Sequence, residues 1–286
     1  AVLLDKAPVT VSPAIKLPLT KICLISFSWS FIISIILNLF ARIYIANDPF
    51  NGGFILPDAI GFHQDAMIYY QIMENWGFQK WTLRPDNCGT TCFDEMVAMV
   101  AFIYYWIYPS SVIILIVNSA IHAASTYVIY KIFFKITKNK KINFLSFLVF
   151  IFFPSQFLWV SQIHRDGIFI LGILIYFLII LDYFNFIYLK KINYFNFIFK
   201  LISLSFLSTL LLSISRDYYV EIFIVINYLY CLICIFYIIL FKKQFVSFKN
   251  IIYPVLLGLC IFISSFSISF KYLKVKSFVY LAYQFM

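Results

Sequence analysis

The sequence predicts an all-α, polytopic integral membrane protein of about seven transmembrane helices, with one structured extracytoplasmic loop carrying interfacial helices. Three observations predict it. The chain is 63% hydrophobic and only 12% charged, with a mean hydropathy of +0.94, whereas soluble domains carry about 25% charged residues. Its apolar residues fall into runs long enough to cross a hydrocarbon core of about 30 Å. Between those runs lysines gather in short clusters, the pattern of cytoplasmic loops. The net charge of +10 therefore belongs to membrane-flanking loops, and a nucleic-acid partner is not expected.

The elements follow in order. Residues 1–21 hold Lys6, Lys16 and Lys21 and read as an inner tail. Residues 22–46 form the first span; the run is too long for a signal-peptide core and has no small-residue cleavage site, so it is a retained anchor. Residues 47–95 are the one long polar segment and hold seven of the twelve acids (Asp48, Asp58, Asp65, Glu74, Asp86, Asp94, Glu95), which puts them on the outer face. Within this loop Ala66, Tyr69, Tyr70, Met73 and Trp76 recur at helical spacing and Gly77 marks a stop. That spacing predicts an amphipathic helix lying at headgroup depth. Residues 96–108 are too short for a span and end at Pro109, so they read as a partial or interfacial helix. Residues 111–131 then make the crossing, which brings the five lysines from Lys131 to Lys141 inside; two crossings within 96–134 would invert everything downstream. Further spans are expected at 142–160, 168–187, 199–215, 218–240 and 251–270, with Asp182 and Asn185 in an inner loop. Residues 1–286 form a single transmembrane domain. The start at Ala1 and the stop at Met286, soon after a hydrophobic segment, read as a piece of a longer or processed chain.

Of six cysteines, Cys23, Cys231, Cys234 and Cys260 lie in apolar runs and read as small packing residues. Cys88 and Cys92 sit in the polar loop, where a short disulfide suits an oxidising compartment. A zinc site would need two more ligands that the loop lacks.

Only four of the 22 basic residues are arginine: Arg42, Arg84, Arg165 and Arg216. Each lies at or near the end of a hydrophobic run, and the topology above puts all four outside. Lysine satisfies any demand for charge alone, but a guanidinium also matches phosphate or carboxylate oxygens in pairs. Arginines confined to one face point to an anion site there. Three polar groups meet on that face. The first is His63-Gln64-Asp65, followed by Tyr69. The second is His164-Arg165-Asp166, just after Pro154-Ser155-Gln156. The third is Ser215-Arg216-Asp217-Tyr218-Tyr219, with Glu221 one turn on. Simpler roles compete with each: Asp65 and Asp166 as helix-start aspartates, Arg165 as an interface anchor, Arg216 and Glu221 as a structural pair. His122, alone in an apolar run, reads as a donor to a neighbouring helix.

This layout resembles the GT-C class of membrane glycosyltransferases over residues 22–240. The similarity rests on an inner N-terminus, one span, and an outer loop with Asp65-Ala66-x-x-Tyr69-Tyr70. Pro154 ahead of Arg165-Asp166, and Arg216 ahead of Tyr218-Tyr219, are similar to two further stretches of that class. Asp65 lacks the adjacent acid that many members carry, and Asp217 stands where many have proline. The resemblance implies transfer of a sugar from a polyprenyl-phosphate-linked donor to a glycan, lipid or protein acceptor, in the bacterial inner (cytoplasmic) membrane. Asp65 would be the catalytic base or a metal ligand, with Arg165, Arg216, Arg84, His164, Asp166, His63 and Tyr69 on substrates. Nothing in the sequence demands a metal; were one used, oxygen ligands point to Mg²⁺ or Mn²⁺. A polysaccharide polymerase, a flippase of lipid-linked sugars and a non-catalytic membrane subunit are the competing readings.

Overall fold

In the computed structural model the described residues are 19–44, 52–78, 81, 95–188, 194–215 and 222. Eight helices occur among them and no strand: α1 (Leu19–Tyr44), α2 (Pro57–Trp76), α3 (Glu95–Trp106), α4 (Ser111–Thr137), α5 (Lys140–Ile151), α6 (Pro154–Ser161), α7 (Arg165–Tyr188) and α8 (Tyr194–Ser215). The all-α class is thus observed. Two of these helices, Thr20–Tyr44 and Ser111–Thr137, are long and apolar enough to cross a membrane.

Side-chain contacts set the directions of the long helices. Ser26 bonds Thr126, Ser30 bonds His122 and Arg42 bonds Ser111, so α1 and α4 run antiparallel. Gly167 lies against Ile121 while Asp182 pairs with Lys135, so α7 runs parallel to α4. Gly172 accepts from Ser208 and Asp182 pairs with Lys200, so α8 returns antiparallel to α7. The glycine brings these two helices close: a Cβ at position 172 would stand 3.0 Å from Leu212 Cγ. Small residues allow such close helix contacts.

α1 is polar on its buried side. Ser26, Ser30, Ser34, Asn38 and Ala41 are buried, while Ile25, Ile32, Ile36, Leu39 and Ile43 are exposed. The buried residues recur every three or four positions and therefore share one face. The main core lies elsewhere, where Ala66, Tyr69 and Met73 of α2 meet Met96, Val100 and Tyr104 of α3 and Ile114 and Leu115 of α4.

Several expectations need correction. The run 142–160 is two helices, α5 and α6, because Pro154 has no N–H to continue the ladder and disfavours helical geometry at Phe153 (φ −68°, ψ 120°). α2 begins at Pro57, so the acid in its first turn is Asp58 and Asp65 lies mid-helix. A helix-start role for Asp65 is thereby excluded. Trp76 is 67% exposed and does not join the stripe of Ala66, Tyr69 and Met73. Asp182 is a buried residue of α7, neutralised by Lys135 of α4 and Lys200 of α8, and not part of a loop. The expected stop at Gly77 is observed, with φ +84°. α3 is a 12-residue helix, and a proline-containing break separates it from α4, as the short run before Pro109 predicts. The spans expected at 218–240 (residue 222 apart) and 251–270, with Cys88, Cys92, Glu221 and the last three cysteines, lie outside the described residues.

Candidate functional site

Two side-chain amides build the site. Asn118 of α4 donates through Nδ2 to the carbonyls of Val160 (3.3 Å) and Gln162 (2.7 Å), which fixes the end of α6. Gln162, itself fully buried, accepts with Oε1 from the backbone N–H groups of Ile55 (2.8 Å) and Leu56 (3.1 Å). Leu56 is the N-cap residue of α2 and offers no side-chain cap; Gln162 instead binds the N–H of Leu56 and of the residue before it, from a distant part of the chain. The start of α2 is thus tied to the turn that begins α7.

The consequence is a cleft of about 560 Å³ between the two helices, lined by Pro57, Asp58, Gly61, Phe62, Asp65, His164 and Arg165. Its walls come from segments 100 residues apart in sequence. Asp65 is half-buried and makes no ion pair or hydrogen bond among the described residues, and burial raises its carboxyl above the ordinary 3.8. Arg165 stacks on Phe62, with Cζ 5.0 Å from the ring centroid, a cation–π contact that holds the guanidinium against α2. His164 Nδ1 stands 3.2 Å from both the N–H and Oδ2 of Asp166. A neutral ring accepts from the backbone there, and a protonated ring donates to the carboxylate.

His63 and Asp65 are two residues apart, about 200° around the helix, and face different clefts. His63 lines a second cleft of about 580 Å³ on the other side of α2, with Arg42, Gln64, Gln71, Ser110 and Ser111 among its walls. His63 Nδ1 and the Tyr104 hydroxyl are joined at 2.7 Å. Burial, and then the nearby Arg42 charge, lower His63 to about 4, so its ring is neutral at pH 7. Tyr69 is 2% exposed in the core and lines neither cleft. Helical spacing puts Ala59, His63, Ala66, Tyr69 and Met73 on the face toward α3, so Tyr69 packs where a substrate contact was expected. Arg84 and Arg216 lie outside the described residues. The structure therefore unites Asp65 with His164 and Arg165, puts Asp166 beside them, and separates His63 and Tyr69.

His122 meets α1, as its isolation in an apolar run implies, and the hydroxyls around it fix its tautomer. Thr126 Oγ1 donates to the His122 carbonyl and Ser30 Oγ donates to the Ser26 carbonyl. Ser30 then accepts from His122 Nδ1 at 2.6 Å, leaving the proton on Nδ1. Among the described residues no three His, Cys, Asp or Glu side chains converge in a way that could hold a metal ion.

Sequence reasoning missed Asn118 and Gln162, which hold the cleft open. A polar residue inside an apolar run was the available signal for Asn118. It also missed the Ser26, Ser30, Ser34, Asn38, Arg42 series, whose strict four-residue spacing is visible in the sequence. Comparison with family models, curated proteins and solved structures finds no match in any of the three.

Proposed function

We propose that the chain is a membrane glycosyltransferase that moves a sugar from a polyprenyl-phosphate-linked donor to an acceptor hydroxyl at the extracytoplasmic face. The observation that carries the reading is the cleft shared by Asp65, His164 and Arg165. It sets a carboxylate without a partner among the described residues, and with raised basicity, in the same space as a guanidinium. In this mechanism Asp65 takes the proton of the acceptor hydroxyl as its oxygen bonds to the anomeric carbon. The bond from that carbon to the donor phosphate breaks, and the leaving phosphate keeps the electron pair. Arg165 stabilises the charge that develops on it.

The membrane setting belongs to the same proposal. α1 turns serines and asparagine inward and isoleucines outward, which is unfavourable in water and favourable in lipid, where small polar residues join helices. Arg42 and Arg165 lie at the end of the bundle that carries the clefts; Lys135 and Lys200 pair with Asp182 at the other end. About seven spans in the bacterial inner membrane, with the arginine end outside, fit both this division and the positive-inside pattern.

The test compares cells producing the wild-type chain or Asp65→Asn at matched protein levels, with lipid-linked sugars and surface glycans measured by mass spectrometry. The variant should accumulate a lipid-linked sugar and lose one glycan residue type. Identical profiles would remove Asp65, and with it the transferase reading.

A further inference from the structure

The Asp65 cleft leaves Arg42 unused, although Arg42 is one of the four arginines. Its side chain is held on three sides: Nε donates to Asn38 Oδ1 (3.0 Å), and Nη2 donates to the Gly52 carbonyl (3.2 Å) and to Ser111 Oγ (2.7 Å). Every one of these partners is neutral, and among the described residues no carboxylate pairs with Arg42. Holding a guanidinium in place through neutral groups is what an anion-binding side chain requires.

The surroundings are shaped to that end. Asn38 Nδ2 donates to the carbonyls of Gly52 (3.1 Å) and Gly53 (2.9 Å), folding the Gly-Gly turn onto the arginine. A Cβ at position 53 would stand 2.7 Å from Arg42 Cγ and Nε, and one at position 52 would stand 2.8 Å from the His63 ring. Both glycines also have positive φ, +63° and +76°, which other residues rarely adopt. The turn thus wedges between Arg42 and His63, and the guanidinium borders the cleft of about 580 Å³. The far wall of that cleft is Met67 and Ile68, the latter 49% exposed and continuous with the bundle surface. Arg42 occupies the last turn of α1, one of the two helices fit to cross a membrane, a depth at which lipid headgroups lie.

The geometry points to a second phosphate site, on Arg42 and across α2 from the Asp65 cleft, that binds the phosphate of an amphipathic lipid whose tail leaves along Met67 and Ile68. Two sources share that chemistry, a polyprenyl phosphate and an anionic glycerophospholipid. The site stands whether or not the chain is a transferase.

The test uses the full chain purified in uncharged detergent, with binding read by native mass spectrometry and by thermal shift. The probes are a short-chain polyprenyl phosphate, phosphatidic acid and inorganic phosphate alone. Both lipids should bind more tightly than inorganic phosphate. Arg42→Met should weaken both by at least about tenfold, the effect of losing one charge-assisted hydrogen bond, and Arg42→Lys should fall between. Gln71→Glu, at an exposed position on the same cleft, leaves the Arg42 network intact and should weaken binding by charge repulsion if Arg42→Met does not fold. A preference for the polyprenyl phosphate marks a carrier site, and equal binding marks a headgroup site; either supports the proposal. Unchanged lipid binding in both Gln71→Glu and a folded Arg42 variant overturns it.

Discussion

Asp65 shows how position alone shifts the titration of a residue. It lies mid-helix, half-buried, with no bond among the described residues, so its carboxylate is destabilised by burial alone. A pKa raised on folding means that the native state holds its proton more tightly than the unfolded chain. Stability from this group is therefore complete below the unfolded pKa near 3.8 and declines as pH rises through the folded value. Asp65→Asn should raise the thermal midpoint at pH 7 and lose that gain in acid, while transfer falls by about 10²–10⁴-fold, the contribution of a general base. A lowered midpoint would mean that the carboxylate has a structural partner. His63 titrates with the opposite sign. Its pKa falls from 6.5 to about 4, so the unfolded chain binds the extra proton between those values. The fold should lose stability as pH drops from 6.5 toward 4, and thermal melts across that range should show a shallower slope in His63→Gln.

At the scale of elements, the cleft depends on how helices are tied end to end. Gln162 accepts from two N–H groups at the start of α2. Gln162→Leu keeps the volume and orphans both, at about 1–3 kcal/mol for each buried donor. A drop in denaturation midpoint together with loss of the proposed transfer is expected; an equally stable variant would show that α2 is held otherwise. The Gly52-Gly53 turn is a second tie, and Gly53→Ala should destabilise by more than about 1 kcal/mol, because both φ and the neighbouring Arg42 oppose a Cβ. The break between α5 and α6 was legible only in part: Pro154 was visible, but a proline inside an apolar run reads equally as a kinked span.

At the scale of the whole molecule, the bundle has two chemically different ends. Arg42, Asp65, His164 and Arg165 gather at one. At the other, Asp182 is clamped between lysines of α4 and α8. Asp182→Asn leaves Lys135 without its counter-charge. The cost should fall at about 1–3 kcal/mol, below the usual buried-pair range because Lys200 is 53% exposed and already screened by solvent. The two-ended arrangement also predicts topology. Single cysteines at positions 65 and 165 should react with an impermeant thiol reagent from one side of a sealed membrane, and one at position 138 only from the other. Labelling of 65 and 165 from opposite sides would contradict a shared cleft.

The sequence by itself determined the helical class, the presence of α1, the start of α4 at Ser111, the stop at Gly77 and the separation of Arg42 and Arg165 from Lys135 and Lys200. Each of these follows from local properties: the apolar run length, a glycine that tolerates positive φ, the chemistry of a guanidinium. Only the tertiary structure decided that Asp65 is mid-helix and faces Arg165, that His63 and Tyr69 turn away from it, and that Asp182 is buried. Those outcomes depend on which helix faces pack together, and the partners that settle them lie far off in the chain. Gln162 meets Leu56 across 106 positions, and Asp182 of α7 meets Lys135 of α4 with two helices between them in the chain. A one-dimensional pattern records which side chains share a face, but not what that face meets.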